Sequence, residues 1–163
     1  MPMQQYGNKI TVSLKVGSGT GELPAATWRT RARTGDHFVQ RAVTDADVPT
    51  ANNSLISVSP LTDGGTDILG LLIAVDGDDS DLVGTVLLQA SDVTVRGVGV
   101  ATANLEGVNI DNRSGVVGSG NDGLVAVAAD ANTAGFGQVL GGNERAIRMA
   151  FTSNILRGVD HTS

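Results

Sequence analysis

Asp76, Asp78, Asp79 and Asp81 place four carboxylates within one short segment, a density of hard oxygen ligands that can hold calcium. The EF-hand order, with glycine at the sixth loop position and glutamate at the twelfth, is not met, so the segment reads as a solvated hairpin tip. His37 and His161 are the only imidazoles. Triads and zinc sites need histidine set against a nucleophile or further ligands. The neighbouring side chains of Asp36 and His37 point to opposite faces of an extended chain, and His161 lies beside the C-terminus. Both read as surface histidines. The 17 acidic residues allow many glycosidase-like carboxylate pairs, but no feature selects one. With no cysteine, disulfides, thiolate nucleophiles and cysteine-based metal sites are excluded. Gly17-Ser18-Gly19-Thr20-Gly21 follows a strand pattern, as a phosphate loop would, yet lacks the Lys-Ser/Thr ending and runs into Pro24. It reads as a turn or linker. The expectation is a non-enzymatic chain with no catalytic, cofactor-binding or metal-ligating residues and no cofactor.

The most distinctive local cluster is Trp28-Arg29-Thr30-Arg31-Ala32-Arg33-Thr34. Its arginines alternate, so an extended segment would carry one cationic face. Trp28 would then anchor the end in a partner's pocket, since Trp and Arg dominate interface hot spots. Trp28, Arg29, Arg31 and Arg33 are therefore the candidate partner-binding residues. The competing reading is a solvated edge strand whose charges block aggregation.

The elements around these residues read mostly as strands. Residues 9–16 alternate, with Ile10, Val12, Leu14 and Val16 on one face. Residues 22–60 hold three of the four prolines and little periodicity, apart from a brief strand-like run at 38–43. They are expected to be an arm or long loops lying across a neighbour. From Ile68 to Val75 a continuous apolar run predicts a strand buried on both faces, with a return strand at 82–88. Further strands are expected at 91–100, with a bulge at Gly97, and at 107–112, 115–118, 124–129 and 145–151. Residues 130–140 are the best candidate for a short helix, weakened by Gly135 and Gly137. The glycine- and aspartate-rich texture also suits a β-helix, but no fixed repeat period is present.

Composition sharpens the picture. The chain has 163 residues, 22 glycines and only five aromatic residues, Tyr6, Trp28, Phe38, Phe136 and Phe151. Its core must be built mainly from aliphatic side chains, while glycine raises the entropic cost of ordering the backbone. Such a chain is a candidate for stabilisation by partner subunits. Charge is uneven: residues 1–59 carry six basic against four acidic side chains, residues 60–130 two against eleven, and residues 131–163 three against two. The net charge of −6 argues against nucleic-acid binding. No apolar run approaches the roughly 20 residues of a membrane-spanning helix, and the start, Met1-Pro2-Met3-Gln4-Gln5, predicts no secretory leader.

The segments GLVAVAADANTAGFGQVLGG (123–142) and ERAIRMAFTSNILRGV (144–159) give the second half, residues 66–157, a Gly/Ala/Val-rich strand texture. In this it resembles the small decoration, cement or head-fibre proteins of tailed bacteriophage capsids. The resemblance implies a β-barrel or β-tulip-like body, clustering at capsid symmetry axes as a homotrimer or other homo-oligomer, and an N-terminal arm on the major capsid protein. It transfers no functional residue. The expected fold is thus mainly β: an antiparallel barrel or sandwich with an extended N-terminal arm. Residues 1–60 would form the arm and long loops, with one strand near 9–16, and residues 61–163 the β-rich body. The expected function is that of a structural virion protein on the capsid surface, binding the shell's outside and stabilising its mature state. The alternative is a receptor- or glycan-binding β module, an adhesin or fibre component.

Overall fold

A computed structural model describes residues 8–42, 55–62, 67–97, 114–118, 121–127, 135–143 and 146–157. The fold is mainly β. Strands β1 (Lys9–Leu14), β2 (Phe38–Arg41), β3 (Ser57–Pro60), β4 (Ile68–Asp78) and β5 (Asp81–Leu87) close into a barrel in the order β1-β3-β2-β4-β5. Every neighbouring pair is antiparallel except β1 and β3, which run parallel with Ser13 beside Ser57. Strands β6 (Gln89–Val95), β7 (Ser114–Gly118), β8 (Asn121–Val127), β9 (Gly137–Asn143) and β10 (Ala146–Thr152) form a second sheet, ordered β6-β10-β9-β7-β8. A single parallel bridge, Gly97 to Val125, joins the chain just past β6 to β8 at the far edge.

Alternation explains the barrel. Val12 and Leu14 of β1 and Leu82 and Val86 of β5 turn inward, joined by Val39, Val58, Leu69, Leu72 and Trp28. At roughly 1.5–3 kcal/mol per buried aliphatic side chain, this interior supplies the driving force for closure. Gly70 allows β4 and β5 to approach: a Cβ there would lie 2.2 Å from the Leu87 carbonyl oxygen. Strand β4 is buried on both faces over its first half, as its continuous apolar run predicts. Leu69 and Leu72 face the barrel interior, while Ile68 and Leu71 face the second sheet. A register shift opposite Val39 and Gln40 leaves Leu69 as an extra β4 residue, which puts Leu69 and Leu71, two apart, on opposite faces.

The second sheet packs its inner face on those outward barrel residues. Val95, Val125, Val139, Ile147 and Met149 meet Phe38, Leu61, Ile68 and Leu71 there. All three phenylalanines lie in this layer; the Phe38 ring centroid is 4.8 Å from that of Phe136 and 5.2 Å, edge-on, from that of Phe151. The chain crosses between the two bodies at Leu88. Its N–H donates to the Asn8 carbonyl at 2.6 Å and its carbonyl accepts from the Ser153 N–H at 2.7 Å. A short helix, α2 (Asn154–Arg157), follows β10.

Several expectations change. The strand expected at 9–16 is β1 and the strand-like run at 38–43 contains β2, but the residues between and after them, expected as an arm and loops, supply the helix α1 (Ala25–Thr34) and the barrel strand β3; residues 1–7 and 43–54 of that region lie outside the described residues. The candidate helix at 130–140 is strand β9 from Gly137 onward, consistent with its two glycines, and residues 130–134 lie outside the description. Strand β6 ends at Val95 rather than bulging at Gly97. The strand expected at 107–112 falls outside the described residues.

Candidate functional site

The arginine cluster lies on α1, not on an extended segment. Pro24 precedes the helix and Gly35 ends it, at φ +65°, with its N–H donating to the Arg31 carbonyl. Ala25 and Trp28 face inward, one turn apart, and Ala32 packs against the same core. Trp28 is fully buried and its Nε1 donates to the Lys15 carbonyl at 2.8 Å, so it plugs its own barrel and offers nothing to a partner. Helical geometry also divides the arginines, because residues four apart share a face and those two apart do not. Arg29 and Arg33 flank a groove of about 330 Å³ between α1 and β4, floored by Ala32, Ile73, Ala74 and Val75. Arg33 is exposed and its Nη2 donates to Thr30 Oγ1 at 3.2 Å. Arg31 turns to the other side and donates from Nη1 to the Asp122 carbonyl of β8 at 2.8 Å.

The acidic segment is the tip of the β4–β5 hairpin, with Asp78 opposite Asp81 and Gly77 at φ +92°. Asp78 Oδ1 accepts from both the hydroxyl and the N–H of Ser80, and the hydroxyl hydrogen bond above all holds its carboxyl below the usual range. Asp79 pairs with Arg29 at 2.6 Å, tying the tip to α1. Among the described residues no three His or carboxylate side chains converge as a metal site. The glycine segment 17–21 wraps the Glu22 carboxylate, which accepts the Gly19 N–H at 2.8 Å.

A second charged cluster lies where barrel and sheet meet, and the sequence reading missed it. Asp36 is 1% exposed and His37 6%. Gly35 turns the chain out of α1, so the two side chains are brought together instead of apart: His37 Nδ1 abuts Asp36 Oδ1. Thr34 Oγ1 donates to the same oxygen at 2.8 Å. Arg96, just past β6, brings Nε to 3.0 Å from Asp36 Oδ2 as an ion pair not aligned as a hydrogen bond. Burial and the Arg31 charge push the His37 pKa down to about 4, against the opposing pull of Asp36 and with a smaller push from Arg96. His37 is therefore a buried neutral imidazole, not a surface one; His161 lies outside the described residues. Only the Asp36-His37 adjacency was visible in sequence. Arg96 is sixty residues away and carries no local signal.

A cleft of about 680 Å³ opens where β6, β9 and β10 meet. Asn8, Gln89, Ser91, Gln138 and Thr152 supply amides and hydroxyls around small backbone-level positions such as Gly137. Such a lining recognises neutral polar groups by hydrogen bonding. Phe136 and Phe151 form its floor but are 1% and 4% exposed, so neither offers an open ring face. Compared with known proteins, the chain matches no family model, no curated protein and no solved structure.

Proposed function

We propose that this chain is a structural virion protein that binds the outside of a phage capsid and stabilises the mature shell. The resemblance of residues 66–157 to capsid decoration proteins motivates the reading. The observation that carries it to a surface is the α1–β4 groove, where Arg29 and Arg33 flank an apolar floor on a closed barrel. A helix presenting Arg33, beside an Arg29 whose exposed pair with Asp79 can exchange partners, over aliphatic side chains suits an acidic segment of a shell protein. The partner on this reading is the major capsid protein, and the chain acts as a homotrimer or other homo-oligomer on the capsid surface. Its effect is thermodynamic. By binding the mature shell and not its precursor, it stabilises that state by mass action, by about 2.7 kcal/mol per site at a hundredfold excess over Kd.

The test is sedimentation of native particles with quantitative mass spectrometry of the fast fraction. A fixed high copy number beside the major shell protein supports the reading, and recovery only as a slow monomer overturns it. Deleting residues 1–34 is not a usable probe of docking, because it removes β1 and α1 from the barrel. The neutral cleft favours a second reading, a receptor- or glycan-binding module. On that reading Ser91→Trp, which fills the cleft, abolishes binding while Arg29→Glu with Arg33→Glu leaves it intact.

A further inference from the structure

A polar junction with a buried centre lies between the barrel and the second sheet. Asp36 sits at its centre, with His37, Arg96 and Thr34 in contact with its carboxylate. Arg31 reaches across from α1 to the Asp122 carbonyl. Beside it the Gly123 N–H donates to the Leu61 carbonyl at 2.8 Å, stitching β8 to the barrel. Gly123 is at φ +84°, and a Cβ there would lie 3.0 Å from Arg31 Nη1 and 3.2 Å from the Phe38 carbonyl oxygen. A larger residue there would strain the backbone and press on the Phe38 carbonyl. One carboxylate faces two guanidiniums, and a third positive charge on a 6%-exposed ring would be poorly solvated.

We propose that this junction is an acid-sensitive latch: with His37 neutral it holds β8 against the barrel, and protonation of His37 opens that seam while the barrel stays folded. The groups facing His37 are Asp36 on its own loop, Arg31 from α1 and Arg96 from beyond β6; Asp122 of β8 acts on Arg31. The backbone contact from β4, where the Leu72 N–H donates to the His37 carbonyl, adds no charge.

The sign follows from linkage. Burial favours neutral imidazole in the closed seam, against an ordinary value of 6.5 once the ring is solvated. The latch is fully closed above pH 6.5 and weakens as pH falls towards about 4, by up to about tenfold per pH unit in the open population. The experiment is amide hydrogen exchange of Gly123 against amides of the β1–β5 pair, corrected for intrinsic exchange, with the His37 ring titrated by NMR in the same samples. Expected are a ring midpoint well below 6.5, faster Gly123 exchange on acidification with slower change at β1–β5, and a flattened profile in His37→Gln. A ring midpoint near 6.5, or Gly123 and β1–β5 amides accelerating together, overturns the proposal. If His37→Gln does not fold, the native titration and exchange profile alone decide.

Discussion

The barrel and the second sheet each have five strands, yet they close and fill differently. The barrel is sealed by paired strands all round and carries its own interior, with Trp28 as its largest plug. Among the described residues the second sheet is joined at its edges by one bridge, and its buried face is completed by residues that the barrel turns outward. A chain with few aromatic residues thus concentrates its three phenylalanines at the seam, where each ring covers area for both bodies. The difference teaches which body is the platform. The barrel holds itself, and the sheet is held by the barrel.

Substitutions can break that asymmetry. Phe38→Ala removes the ring that touches both other phenylalanines and is expected to cost about 3–5 kcal/mol. Chemical denaturation with site-resolved exchange should show β9 and β10 losing protection before β1 and β5. Trp28→Ala falls in the same range but should unfold barrel and sheet in one transition, because the platform itself is hollowed. If Trp28→Ala frees only the sheet, the asymmetry is wrong.

Gly123→Ala is expected to cost about 1–3 kcal/mol, from a positive φ and the Phe38 carbonyl close to its new Cβ. The loss should appear as weaker protection of β8 with the barrel's own exchange unchanged. Asp79→Asn sharpens the comparison from the other end. Its ion pair with Arg29 is exposed on the carboxylate side, so the change should stay within about 1 kcal/mol by thermal denaturation and shrink with added salt.

Strand β4 was legible in sequence because a fully apolar run of eight can be a strand only if both faces are covered. Helix α1 was not, although its signals are present: Pro24 before it, Gly35 after it, and Ala25, Trp28 and Ala32 at helical spacing. Three alternating arginines suggested one cationic face of an extended chain, whereas the chain turns helical with Trp28 buried in the barrel. The parallel β1–β3 pairing and the Asp36–Arg96 contact are both long-range, and no local pattern encodes them. The consequence for function is direct. Helical spacing buries Trp28, turns Arg31 towards β8 and sets Arg29 and Arg33 together on the α1–β4 groove, the pair that the proposed docking uses.

The proposed docking face is tested most directly by co-sedimentation with purified mature shells of the native protein and an Arg29→Glu, Arg33→Glu double variant. The account predicts saturable binding of the native chain, and loss of that binding in a variant that stays folded, its thermal unfolding midpoint lowered only by loss of the exposed Arg29–Asp79 pair. A folded double variant that binds at native copy number would contradict it.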